Sequence, residues 1–194
     1  MTGSVVDPAE VPVDDPRPDG LRRIPSLVVV NTGDGKGKTT AAVGMVVRAV
    51  ALEWRVAVVQ FLKSGGWHSG EEKICRRLGV DWWTLGEGFT WDSADLTRDQ
   101  AVARRAWEQA RELIGAGEHK LVVLDEITYP MNWDWIDRAD VVETIGRRPP
   151  QVNVVCTGRN APAELVEVAD TVSEINVVKH AYNQGIRAKK GIDF

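Results

Sequence analysis

Val28-Val29-Val30-Asn31-Thr32-Gly33-Asp34-Gly35-Lys36-Gly37-Lys38-Thr39-Thr40 is the stretch that decides the fold. Its first residues form a β-branched apolar run that reads as a buried strand. Its glycines then break the run, and small residues open a segment of helical period. A strand, a glycine-rich turn and a helix in that order are the setting of a phosphate loop. Glycines let the backbone turn its N–H groups inward around phosphate oxygens, and the helix N-terminus adds positive potential. Lys38 neutralises charge and the Thr39 hydroxyl can join Mg2+. The loop 33–39 is therefore expected to hold the triphosphate of a nucleotide, MgATP. It departs from the strict pattern, which wants glycine six positions before the lysine. Thr32 stands there, and Gly33 comes one place late.

A second element answers the first. Leu121-Val122-Val123-Leu124-Asp125-Glu126 is an apolar run ending in two carboxylates, the hard oxygen ligands that Mg2+ requires. One of the two can coordinate the ion while the other holds a bound water or orients Thr39.

Between these landmarks, β-branched apolar runs alternate with segments of helical period. Strands are expected over 27–31, 56–61, 80–84, 121–125, 152–156 and 171–177, and helices over 38–52, 70–78, 98–114, 135–145 and 162–168. Ser69 with Glu72, and Thr97 with Gln100, have capping-box spacing at helix starts. After Thr97, Ala103, Trp107, Ala110 and Ile114 share one face, which makes Trp107 a core residue rather than a ligand. Strands apolar throughout and separated by helices imply a parallel sheet covered on both faces. The expected fold is α/β: one doubly wound, mostly parallel sheet of about six strands, a P-loop NTPase-like domain of RecA type. Its ligand site should lie in the loops beyond the carboxyl ends of the strands.

Residues 1–25 hold five prolines and five acidic residues and few large apolar ones. That composition buries too little surface to offset the entropy of ordering, so they read as a mobile tail ahead of a domain at 26–194. At 43% hydrophobic and 27% charged, the chain has the balance of a soluble globular protein. A net charge of −4 argues against a general nucleic-acid binder. No apolar run approaches the length of a membrane span, and a cytoplasmic location is expected. Cys75 and Cys156 sit in no metal-ligand spacing and read as reduced core thiols. His68, His119 and His180 are scattered too widely for a histidine metal site, and none is expected to carry direct chemistry.

Phosphate loops of this class serve hydrolases, kinases and other transferases alike. A P-loop ATPase, a small-molecule kinase and a regulatory nucleotide-binding module are thus alternatives. Trp67, Phe89, Trp91 and Trp133 fall in connections near the expected site and suggest a broad apolar ligand, although core or surface packing explains any one of them as well.

Taken together, these residues resemble the corrinoid adenosyltransferases of cobalamin biosynthesis and salvage, the ATP:cob(I)alamin type with a phosphate-loop fold. The resemblance runs through the phosphate loop, Val59-Gln60-Phe61-Leu62-Lys63, Gly70-Glu71-Glu72, Gly88-Phe89-Thr90-Trp91, Val123-Leu124-Asp125-Glu126-Ile127-Thr128-Tyr129, Thr157-Gly158-Arg159, Val178-Lys179-His180-Ala181-Tyr182 and Gly191-Ile192-Asp193-Phe194. It implies transfer of the 5′-deoxyadenosyl group of MgATP to the cobalt(I) of a corrinoid, with triphosphate leaving. By the same resemblance, Gly33, Asp34, Gly35, Lys36, Gly37, Lys38, Thr39, Thr40 and Arg159 contact the nucleotide. Lys38 stabilises the leaving group. Thr39 and Glu126 hold magnesium with Asp125 behind or shared, and Phe89 and Trp91 press on the lower corrin face. It also implies a reduced flavoprotein as electron donor and a homodimer. Two departures stand out: the segment ahead of the first strand is short, acidic and proline-rich, and Asp34 puts a carboxylate close to phosphate, where it should repel unless it meets a cation.

Overall fold

The structure, a computed structural model, describes residues 20–62, 69–85 and 96–193. Six strands form one sheet: β1 (Val28–Thr32), β2 (Val56–Phe61), β3 (Asp81–Leu85), β4 (Leu121–Asp125), β5 (Asn153–Thr157) and β6 (Thr171–Glu174), in the order β3-β2-β4-β5-β1-β6. Every pairing is parallel, so the sheet is wholly rather than mostly so. The helices are α1 (Lys38–Ala51), α2 (Gly70–Arg77), α3 (Leu96–Ala116), α4 (Thr128–Asn132), α5 (Arg138–Gly146) and α6 (Ala163–Val168), followed by a 3-10 turn at Ala181–Gln184.

Successive strand residues face opposite sides, and each side has its own core. Val122 and Leu124 of β4, with Val28, Val30, Val59 and Phe61, meet Ala106, Trp107, Ala110 and Ile114 of α3, Ile145 of α5 and Leu165 of α6. Leu121 and Val123, with Val56, Val58 and Val155, meet Ala42, Val46 and Ala49 of α1 and Cys75 of α2. This is why the central strands read as continuous apolar runs, and it is the doubly wound arrangement expected. Trp107 lies in the core, its indole N–H donating to Asp140 Oδ2 at 2.6 Å. Cys75 and Cys156 are free and buried, and burial pushes the Cys156 thiol up to about 12.

Some boundaries differ from the sequence reading for local reasons. α3 includes Leu96, so Thr97 lies inside its first turn rather than ahead of it. Ser69 does cap α2, accepting the Glu72 N–H at 3.2 Å. The helix expected over 135–145 starts at Arg138, because Asp137 accepts the Ala139 N–H and sets the start there. Trp135 and Ile136 are instead buried in the turn before it. The five-residue α4 was not expected, since so short an element shows no period. Pro130 is tolerated in its first turn, where no N–H is needed.

β6 ends at Glu174 instead of continuing to 177. Beyond it the Ile175 N–H donates to Thr32 O at 2.8 Å, and the Gly35 N–H donates to Ile175 O at 2.6 Å. The chain thus leaves the sheet edge to pair with the glycine loop. Because β5 lies between β1 and β4, the end of β5 stands within reach of both the loop and the acidic strand end.

Candidate active site

Local backbone requirements explain the glycines. Gly33 and Gly37 have φ of 92° and 122°, in the region that side chains avoid. Gly35 is required for another reason: a Cβ there would stand 2.6 Å from Ile175 O. The displaced first glycine also has an account. The Thr32 hydroxyl accepts the Ala161 N–H at 3.1 Å, tying the β5–α6 connection to the start of the loop.

α1 opens with no side-chain cap on Gly37 and no acidic residue in its first turn, whereas α2 and α5 have both. Its first N–H groups and positive end are therefore left for an anion. Lys38 is 8% exposed, and its ammonium donates to Gly33 O at 2.8 Å and Gly35 O at 2.7 Å. Burial lowers its pKa; the nearby Glu126 opposes that shift.

Asp125 is 1% exposed and accepts from donors on α1, β5 and β2. Its Oδ1 accepts from the Thr39 hydroxyl at 2.8 Å and the Thr157 hydroxyl at 2.7 Å, and its Oδ2 accepts from Gln60 Nε2 at 2.8 Å. The Thr157 oxygen in turn accepts the Glu126 N–H at 3.0 Å. Glu126 has a left-handed φ of 65°, so the chain turns sharply after the buried aspartate. Glu126 lines the site cavity while Asp125 sits behind Thr39.

That cavity, about 300 Å³, is lined by Asp34, Gly35, Lys36, Gly37, Lys38, Thr39, Thr40, Glu126 and Arg159. Nearly all the residues expected at the nucleotide thus come together. Gly33 acts at one remove, through its carbonyl on Lys38. Asp34 meets a cation, as its sequence position demands: Arg159 Nε lies 3.7 Å from its Oδ1. Arg159 is itself held by its backbone, because Thr128 Oγ1 donates to its carbonyl at 2.7 Å and Asn132 Nδ2 donates to Asn160 O at 2.9 Å. Gly158 precedes it with φ 136°, and a Cβ there would fall 2.0 Å from Thr128 Oγ1. Phe89 and Trp91, like Trp67 and His68, lie outside the described residues.

Four further residues line the cavity without any role foreseen for them: Glu71, Tyr129, His180 and Asp193. Burial raises the Tyr129 phenol, and its ring meets Trp133 at 5.4 Å between centroids, with Trp133 meeting Trp135 at 4.8 Å. Trp133 therefore packs between Tyr129, which lines the cavity, and Trp135. Asp193 pairs with Lys36 at 2.9 Å. A larger cavity of about 920 Å³, lined by Arg104, Trp135, Arg138 and Glu164 among others, holds none of the loop residues.

Among the described residues, no group of three or more His, Cys, Asp and Glu could hold a metal by itself. The donors present, the Thr39 hydroxyl and the Glu126 carboxylate, are hard oxygens beside a phosphate loop. They fit a magnesium ion that takes most of its ligands from phosphate and water. No helix among the described residues is long and apolar enough to cross a membrane.

Residues 25–194 match the model of the family described as ATP:corrinoid adenosyltransferase BtuR/CobO/CobP. A corrinoid adenosyltransferase of Sinorhizobium sp is 45% identical over 172 residues, which is 87% of this chain and 80% of the relative. One from Escherichia coli K12 is 41% identical over 168 residues, 87% of this chain and 85% of the relative. The corrinoid adenosyltransferase CobA of Salmonella typhimurium is 38% identical over the same length, with the same coverage.

Proposed function

The chain belongs to the ATP:corrinoid adenosyltransferase family, and from that premise we propose how its residues divide the work of the reaction. The protein is a transferase that moves the adenosyl group of ATP to a corrinoid. The cobalt(I) electron pair forms the bond to C5′, and the C5′–O bond breaks with its pair leaving on triphosphate. The reaction needs no general base. What it needs is stabilisation of the charge that gathers on the leaving group.

The observation that carries the assignment of roles is the convergence of Lys38, the uncapped α1 N-terminus and Arg159 on one cavity. Lys38 exchanges its two loop carbonyls for phosphate oxygens and stabilises the departing triphosphate. The loop N–H groups other than that of Gly35, which Ile175 O already takes, cradle the same group with the start of α1. Thr39 and Glu126 hold magnesium, which adds positive charge at the phosphates when bound, and Asp125 orients Thr39 from behind. Phe89 and Trp91 supply an apolar wall on the lower corrin face, excluding water and an axial ligand so that cobalt(II) is easier to reduce.

Residues 26–194 act as the catalytic domain, as a homodimer, and a reduced flavoprotein supplies the electrons in the cytoplasm. A phosphate-loop ATPase or kinase is the competing reading, and the product separates them. Purified protein with MgATP and a corrinoid under strong reduction should give the spectrum of a light-sensitive cobalt–carbon bond. Nucleotide hydrolysis without that spectrum would refute the proposal. Trp91→Ala should slow a reductase-coupled assay far more than one supplied with chemically prepared cobalt(I); equal losses would reduce Trp91 to a corrinoid contact.

A further inference from the structure

The arm that follows β6 is tied to the phosphate loop at two points. Ile175 O accepts the Gly35 N–H at 2.6 Å, and Asp193 holds Lys36 at 2.9 Å. His180 lies between these ties and lines the phosphate cavity with Lys36, Lys38 and Arg159. Its Nδ1 accepts the Tyr182 N–H at 3.1 Å at the start of the 3-10 turn. A neutral imidazole that accepts at Nδ1 carries its proton on Nε2, so the second nitrogen is a defined donor. Among the described residues no hydrogen bond of that Nε2–H is seen, and the ring's one charged neighbour to act on it is the Asp193 carboxylate, which Lys36 already engages.

Charge balance asks for such a donor. Asp34, Glu71, Glu126 and Asp193 line the cavity beside Lys36, Lys38 and Arg159. Lys36 is already paired with Asp193, and Arg159 stands by Asp34. Lys38 and the α1 N-terminus are left to meet a polyanion, and a donor on the opposite wall would share the load.

We propose that His180 is a further triphosphate-binding residue, its Nε2–H donating to the phosphate chain from the arm that closes the open side of the loop. The arm is then a wall of the site as well as a cover for the loop glycines. The inference rests on the reading that this cavity holds the triphosphate.

Two substitutions separate the ring's two nitrogens. His180→Asn keeps an oxygen where Nδ1 accepts from Tyr182 and loses the distal donor. His180→Gln places an amide N–H near the position of Nε2. The probe is inorganic tripolyphosphate with magnesium, its binding to the full chain measured by calorimetry. Loss of one hydrogen bond to a charged acceptor predicts affinity weaker by about tenfold for His180→Asn. His180→Gln should stay within about threefold of the wild type. Wild-type affinity in His180→Asn, or equal weakening in both variants, would reduce His180 to a turn cap and overturn the inference. A wild-type chain that binds no tripolyphosphate would overturn the reading of the cavity and the inference together.

Discussion

The Thr39 hydroxyl donates to Asp125 Oδ1 across 2.8 Å, linking the end of the phosphate loop to a carboxylate that is almost wholly buried. With its proton on Asp125, the Thr39 oxygen keeps its lone pairs for a cation in the cavity. In Asp125→Asn one of the two oxygens becomes an N–H donor facing either Gln60 or the two hydroxyls, all of which already donate. Transfer should fall by at least about a hundredfold and stability by about 1–3 kcal/mol. Steady-state kinetics and urea unfolding would read both; near-normal activity would remove Asp125 from the account.

Lys38→Ala separates activity from stability. The buried ammonium has a lowered pKa, chiefly from burial, so the fold disfavours the charge it holds. Removing it should cost transfer about 10²–10³-fold, the scale of one donor to a developing anion, while the melting temperature holds or rises. A variant with full activity would refute the role given to Lys38.

The Thr157 hydroxyl, at the end of β5, joins Asp125 and the Glu126 N–H. Thr157→Val leaves a buried carboxylate short of one donor and a backbone N–H without its acceptor, a loss of about 1–3 kcal/mol each. Thr157→Ser restores both bonds. Magnesium-dependent ATP binding should weaken sharply in the valine variant and recover in the serine variant. Wild-type binding in the valine variant would show that the site does not use the hydroxyl, and no recovery in the serine variant would contradict the account as well.

Far from the cavity, the His119 Nε2 donor lies 2.8 Å from Asp81 Oδ2, and with Arg55 it holds the Asp81 carboxyl below its ordinary value of 3.8. A depressed carboxylate contributes stability above its unfolded pKa and loses it as pH falls through the folded value. The wild type should therefore lose stability from about pH 4 downward, and Asp81→Asn should lose less over that window. Urea midpoints at matched pH values would show this. Parallel pH profiles would mean that the pair contributes nothing to acid stability.

Much of this architecture is legible in the sequence because it depends on local pattern. β2 and β4 fall on the residues expected, since strands buried on both faces must be apolar throughout. The loop is legible because its glycines and Lys38 lie together in the chain. What pattern cannot reach is contact at long range. The Thr32 hydroxyl on Ala161, Ile175 O against Gly35 and Asp193 on Lys36 each join residues more than a hundred positions apart. No period or motif announces them, and they are what bring His180 and the arm to the cavity. α4 is illegible for the opposite reason, being too short to show a period.

The central claim is that this loop holds a triphosphate leaving intact from carbon, and phosphorus NMR of the reaction mixture tests it most directly. Protein, MgATP and chemically prepared cob(I)alamin, followed without oxygen, should yield one inorganic triphosphate for each adenosylcorrinoid formed. ADP with orthophosphate in place of triphosphate would contradict the account.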